Sequence, residues 1–166
     1  MHPILSTPAF PQAFFMRVAH LTGGVDRVTV ENWIRGASLT PASLSGSGDG
    51  EGVGGPTFSV GDLIKVLAMA EFRSSFGTPP RKASALADEV ISTYETEILQ
   101  VLRANDDGTA LPGPVAHQIG RFAVALPLNW WAARAAGVLE TWSQTAGGEA
   151  DKLREVLSAW RSERES

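Results

Sequence analysis

The side chains that could carry covalent or metal chemistry are few and widely separated. The chain contains no cysteine, so disulfides, thiolate metal sites and cysteine nucleophiles are excluded. His2, His20 and His117 are too far apart in sequence to indicate a metal site, and no carboxylate cluster joins them. The glycines between positions 46 and 55 do not open a helix after a strand, as a nucleotide-binding loop does. The sequence therefore predicts that the protein is not an enzyme and holds no metal or cofactor.

The basic side chains are the better candidates, because they could contact a polyanion. The whole chain carries a formal charge of −4, which argues against a protein that coats nucleic acid by charge alone. Residues 13–82 carry seven basic and six acidic groups, whereas residues 83–166 carry seven basic and twelve acidic groups. Contacts to a polyanion are therefore expected from the first half of the chain.

Two short helices joined by a glycine turn are predicted at the start of this half. Apolar residues recur at helical spacing over Ala13–Leu21, and Thr22-Gly23-Gly24 interrupts the pattern. Asp26 is a good N-cap for a second helix, which Gly36 ends. The positions predicted to be buried are apolar and spaced along one side of each helix: Phe14, Phe15, Val18, Leu21, Val30, Trp33 and Ile34.

A long polar segment separates these helices from a third. Residues 36–57 are rich in Gly and Ser, a composition typical of a flexible loop. Its flanks, Ser38–Leu44 and Pro56–Ser59, could pair as a short hairpin. Ser59 is predicted to cap the third helix, whose apolar face is wide and comprises Val60, Leu63, Ile64, Leu67, Ala68 and Phe72.

The first twelve residues contain three prolines and no amphipathic period, which predicts an extended arm over 1–12. Its apolar residues Ile4, Leu5 and Phe10 are expected to pack on the body of the protein. The second half is predicted to begin with one long helix over Ser84–Arg103 and to continue, after a loop over 104–114, with a strand and two helices. The strand rests on the alternation of Phe122, Val124, Leu126 and Leu128, for which a helix is the alternative; the two helices are Asn129–Ser143 and Glu149–Glu163.

The order helix, glycine turn, helix, hairpin and helix resembles the MerR-type winged helix-turn-helix. Phe15–Gly23 looks like that family's opening helix and turn, and Val28–Trp33 resembles its second helix. Phe58–Leu63 resembles the aromatic residue after the wing and the start of the following helix. The resemblance covers about residues 13–103. It implies a mostly α fold with a winged helix-turn-helix over 13–80, a long flexible wing, a connecting or dimerisation helix over 81–103, and a small α/β segment over 104–166.

The resemblance also implies a function, which is sequence-specific binding of double-stranded DNA to regulate transcription. The second helix would enter the major groove. Arginine there could contact phosphate or guanine, and asparagine is a residue type that reads adenine. The residues implied for DNA contact are Arg17, His20, Arg27, Thr29, Asn32 and Arg35.

Two departures from the family pattern keep a second hypothesis open. Glu31 stands where the family has an arginine that contacts the DNA backbone, and phosphate would repel this carboxylate. The loop that corresponds to the wing carries Asp49 and Glu51 at its tip. These features favour a winged-helix protein-interaction module, with a partner in the transcription machinery or a phage or toxin protein.

Three further expectations concern partners and location. The helix over 84–103 is expected to pair two copies as a homodimer; the alternative is that it serves as the fourth helix of a monomer. Trp130, Trp131, Trp142 and Trp160 would either line a small-molecule pocket or, as is more frequent, form core. No apolar run is long enough to span a membrane and the N-terminus has no basic leader, so a cytoplasmic protein without membrane contact is expected.

Overall fold

The computed structural model describes residues 1–42, 55–107 and 113–163, apart from the side chains of residues 104–107 and 149. It confirms a mostly helical chain with two small sheets. In chain order the elements are α1 (Pro3–Ser6), β1 (Phe10–Pro11), α2 (Gln12–Gly23), α3 (Arg27–Arg35), β2 (Thr57–Phe58), α4 (Val60–Phe76), α5 (Pro80–Thr93), α6 (Glu95–Asp107), β3 (Val115–Ile119), β4 (Phe122–Leu126), α7 (Leu128–Thr145), a 3-10 turn (Gly147–Ala150) and α8 (Asp151–Ser162).

Helix α4 lies at the centre of the fold, where it packs against α1, α2, α5 and α7. A capping box fixes its start: the Asp62 N–H donates to Ser59 Oγ at 3.1 Å, and the Ser59 N–H donates to the Asp62 carboxylate at 2.8 Å. Gly77 ends the helix with φ +63°, a conformation that favours glycine. The predicted cap and apolar face are both confirmed, and the buried residues are Val60, Gly61, Leu63, Ile64, Val66, Leu67, Ala68, Met69 and Phe72.

Helices α2 and α3 form the predicted pair. Gly24, with φ +66°, ends α2, and the Asp26 side chain accepts a hydrogen bond from the Thr29 N–H at 2.8 Å to begin α3. Val30 and Trp33 are the fully buried residues of α3. The sequence therefore predicted the turn, the cap and the burial of Val30 and Trp33 correctly, whereas Ile34, also expected in the core, is half-buried.

One position of α2 was predicted wrongly. Leu21 was expected in the core, but 68% of its surface is exposed. The buried side of α2 contains Phe15 and Ala19, and Leu21 lies away from it, one turn after the exposed Arg17. Helical spacing alone did not distinguish the two apolar sides of this short helix.

The first sheet joins the start of the chain to the residues before α4. Phe10 pairs with Phe58 in antiparallel register, and the Ala9 N–H donates to the Phe58 carbonyl at 3.0 Å. The expected pairing of Ser38–Leu44 with Pro56–Ser59 is therefore wrong for Thr57 and Phe58, which pair with β1. Most of the predicted wing, residues 43–54 with Asp49 and Glu51 at its tip, lies outside the described residues. The arm over 1–12 is not wholly extended, because Pro3–Ser6 forms α1, but the predicted burial of Ile4, Leu5 and Phe10 is confirmed.

The predicted helix over Ser84–Arg103 is two helices. It begins earlier, at Pro80, and breaks at Tyr94, whose backbone leaves the helical conformation at φ −110° and ψ 27°. The break lets α5 pack on α4 and α6 pack on α7, two surfaces that one straight helix could not face. The apolar stripe proposed for dimerisation packs against other helices of the same chain, because Val90, Ile91, Ile98 and Leu102 are buried.

The second half adds a hairpin and two helices to the same core. The predicted strand is confirmed as β4, and its antiparallel partner β3 was not predicted. Phe122, the first apolar residue of the predicted alternation, flanks the turn at Gly120 and is 75% exposed. Trp131 lies 6.2 Å from Phe72 between ring centroids, so α7 packs directly on α4. Trp142 and Trp160 are also buried, which makes three of the four C-terminal tryptophans core residues, while Trp130 is 42% exposed.

Candidate nucleic-acid interface

Helix α3 presents most of its side chains to solvent. Its buried residues, Val30 and Trp33, anchor it, while Arg27, Asn32 and Arg35 are exposed and Thr29 is half-buried. With its side chains an α-helix is about 10–12 Å in diameter, and a major groove about 12 Å wide admits a helix of that diameter. The shape of α3 is therefore compatible with insertion into a groove.

A cleft lies on one side of α3, between it and α2. This α2–α3 cleft has a volume of about 630 Å³, and its lining combines three of the six residues implied for DNA contact: Arg17, His20 and Arg27. Asp26 also lines the cleft. The hydrogen bond from the Thr29 N–H lowers the pKa of the Asp26 carboxyl, so this group stays ionised and offsets part of the arginine charge.

A second cleft lies on the other side of α3. This α3–α5 cleft has a volume of about 560 Å³ and brings Thr29 and Asn32 together with Arg73 from α4 and Arg81 from α5. Both arginines are exposed, and an Arg73 guanidinium nitrogen (Nη1) donates to the Thr78 carbonyl at 3.2 Å. No carboxylate occurs among the described residues that line this cleft. It is therefore the more favourable of the two positions for an anion.

Sequence reasoning missed Arg73 and Arg81. Their only signal was their basic charge within residues 13–82, which they share with Lys65, and Lys65 is engaged in an ion pair with Asp88 at 2.8 Å. The turn over 77–79 folds the end of α4 and the start of α5 toward α3. That tertiary proximity could not be derived from local periodicity.

Arg35 stands apart from both clefts. It is the last residue of α3 and is exposed, and the chain turns sharply after it, with Ala37 at φ +56°. The Arg35 side chain therefore extends into solvent at the C-terminal end of α3. The structure thus brings five of the six predicted residues into two clefts and leaves Arg35 at the end of the helix between them.

Glu31 forms an ion pair with a neighbouring side chain of α3. Arg27 Nε donates to Glu31 Oε1 at 2.7 Å, one helical turn along the same face. The Arg27 side chain is 79% exposed, and an exposed pair of this kind contributes only about 0–1 kcal/mol. A phosphate could therefore compete for Arg27 at little cost, although the glutamate reduces the attraction.

Two classes of site lack support in the part of the chain that the structure describes. No group of three or more His, Asp or Glu side chains there could hold a metal ion, and no helix there is both long and apolar enough to cross a bilayer. No family model, curated protein or solved structure matches the chain. The MerR-type resemblance therefore remains a prediction from the sequence alone.

Proposed function

We propose that this protein binds double-stranded DNA through α3 and the two clefts beside it, and that it acts as a sequence-specific regulator of transcription. The observation that carries the proposal is the arrangement of Arg73 and Arg81 opposite Asn32 and Thr29 in the α3–α5 cleft. These arginines come from two other helices and converge beside an exposed helix whose side chains could reach base edges.

In this function α3 would lie in the major groove with Asn32 and Thr29 toward the bases. Arg17 and Arg27 on one side, and Arg73 and Arg81 on the other, would contact the two backbones that border the groove. His20 would lie beside the first backbone, and Arg35 would reach the backbone past the helix end. Positioning would come from the arginines and sequence preference from the short polar residues.

The test is binding to DNA fragments selected from a random pool. Arg27→Ala with Arg35→Ala is expected to abolish the retarded band, and Arg73→Ala with Arg81→Ala to weaken it at least tenfold, with unchanged circular dichroism. Lys152→Ala with Arg121→Ala, on exposed positions of α8 and the hairpin turn, is the matched control. Equal loss in the control pair, or full binding by both arginine pairs, would contradict the proposal.

A second candidate function is protein recognition by the same face, favoured by the Arg27–Glu31 ion pair. Salt separates the two functions. Each phosphate contact adds about −0.9 to the slope of log affinity against log salt for duplex DNA, so the five proposed arginine contacts give a steep decline. A face that binds a protein instead of DNA would show neither DNA affinity nor that dependence on salt.

A homodimer would double this interface and read two half-sites. Because the α5–α6 stripe is buried within one chain, such a dimer requires another surface. Light scattering of the protein with and without a selected palindromic fragment measures whether one or two copies bind.

A further inference from the structure

A groove that shares only Arg17 with the proposed DNA interface runs between α2 and α7. Its floor is apolar and includes Val18 and Val138, each 8% exposed. Leu21 stands in its α2 wall with 68% of its surface exposed. The α7 wall is open at Gly137, because no atom lies within 4 Å of the position its Cβ would occupy. This α2–α7 groove has a volume of about 570 Å³ and is lined mainly by apolar surface.

The length of the groove fits a helix. Its lining residues on α7 run from Ala133 to Thr141, a rise of about 12 Å along that helix. Two side chains seven residues apart on a docked helix are separated by about 10.5 Å, so both would fall within the groove. Phe14, which lines the groove, lies 4.2 Å from the buried Trp142 between ring centroids. This contact ties α2 to α7, so that the groove is a preformed part of the core surface.

The charged side chains among the described residues that line the groove are both basic. Arg17 extends from α2 and Arg134 from α7, and neither makes an ion pair with a described residue. The Arg134 guanidinium carbon lies 4.9 Å above the centre of the Trp130 ring, which holds the cation beside the groove. The described residues that line the groove include no carboxylate. An apolar floor bordered by two unpaired cations is complementary to an apolar stripe flanked by acidic side chains.

We propose that the α2–α7 groove docks an acidic amphipathic helix of a partner protein. Apolar side chains of that helix cover Leu21 and fill the space beside Gly137, and its carboxylates pair with Arg17 and Arg134. A second copy of this chain is a poorer occupant. Symmetric pairing of two such grooves would bring the same two arginines of each copy together, and like charges repel.

The first experiment uses the full chain and two synthetic helical peptides. Both carry leucines at i, i+3, i+4 and i+7; one has glutamate at the remaining positions and the other has lysine there. Fluorescence polarisation is expected to show saturable binding of the acidic peptide, at least tenfold tighter than that of the lysine peptide, and weakened by salt. Equal binding of the two peptides, or no saturation by the acidic one, overturns the proposal.

Two variants locate the binding. Gly137→Leu fills the groove at an open helical position, and replacing a helical glycine should raise helix propensity, so the thermal midpoint is not expected to fall. It should weaken the acidic peptide at least tenfold. Arg134→Glu should weaken the acidic peptide and strengthen the lysine peptide. Ser92→Leu and Lys152→Glu, on exposed positions of α5 and α8, are the matched controls.

Unchanged binding in Gly137→Leu, or equal losses in the controls, would show that the peptide binds elsewhere and overturn the assignment. Both groove variants should retain DNA binding, since Gly137 and Arg134 line neither cleft beside α3. Failure of peptide docking is therefore distinguishable from failure of the proposed DNA interface.

Discussion

Helices α3 and α4 differ in how many of their residues are buried. Nine residues of α4 are buried, and the helix contacts four other helices. Only Val30 and Trp33 are fully buried in α3, which packs mainly on α2. Substitutions in α4 should therefore change the free energy of unfolding, whereas most substitutions in α3 should change only what the protein binds. The solvent-facing positions of α3 are therefore less constrained by packing than most positions of α4.

The largest expected effect is a core truncation in α4. Phe72 is fully buried and its ring lies 6.2 Å from that of Trp131, so Phe72→Ala should reduce the free energy of unfolding by about 3–5 kcal/mol. Val28 of α3 is 63% exposed, and Val28→Ala should change it by less than about 0.5 kcal/mol. Urea unfolding measures both. If Phe72→Ala does not fold, Ile64→Val, with an expected loss of about 0.5–1.5 kcal/mol, supplies the comparison. Equal effects in the two helices would remove the contrast.

The next effect concerns the close approach of α1 to α4. A Cβ added at Gly61 would lie 2.7 Å from the Leu5 carbonyl oxygen, and backbone cannot move aside as a side chain can. Gly61→Ala should therefore cost about 1–3 kcal/mol through overpacking. Gly137→Ala in α7, where the added Cβ meets nothing within 4 Å, should instead stabilise by up to about 1 kcal/mol. Thermal unfolding of the two variants should shift in opposite directions, and a shared direction would contradict this account.

A smaller effect is expected from the ion pair on α3. Glu31→Gln removes the carboxylate that pairs with Arg27, and the freed arginine should bind phosphate more strongly. DNA affinity should rise several-fold, with a change in unfolding free energy below about 0.5 kcal/mol. Glu155→Gln on the exposed side of α8 is the control for net charge. A rise of the same size in that control would show that the effect is not local to α3.

The smallest effect is a pH dependence of the α3 cap. The Thr29 N–H lowers the pKa of Asp26 below its ordinary value of 3.8. Because the folded-state pKa is depressed, the stabilisation by this carboxylate is present above the unfolded-state value and is lost as the pH falls through the folded-state value. The Thr29 amide resonance should shift with that titration. In Asp26→Ser, which retains a capping oxygen but does not titrate, the acid-dependent shift should disappear; its persistence would assign the shift to another group.

Local chemistry made much of this fold predictable. Asp26 and Ser59 cap helices and Gly24 and Gly77 end them, and each depends on neighbours within a few positions. The errors have a different origin. The helix breaks at Tyr94 because α5 packs on α4 and α6 packs on α7. The apolar stripe over residues 84–103 does not by itself indicate that two different helices lie against it.

The candidate interface likewise contains residues predicted from local sequence and residues that only tertiary packing brings close. Arg17, His20 and Arg27 were predicted from short segments, and they line one cleft. Arg73 and Arg81 lie beside α3 only because α4 and α5 turn back toward it. Long-range proximity of this kind is a property of the packed core, so the sequence indicated α3 as the proposed DNA-contacting helix but not Arg73 and Arg81 beside it.

The pairing of Phe10 with Phe58 has a consequence for chain entropy. The two strands close the segment that contains α2, α3 and the connection to α4 at its base. In the chain-entropy relation, doubling the length of a closed loop adds only about 0.6 kcal/mol to the cost of closure. By chain entropy alone, the free energy of unfolding should therefore depend only weakly on the number of residues between α3 and β2. Descendants of this chain could lengthen or shorten that connection while α3 keeps its position.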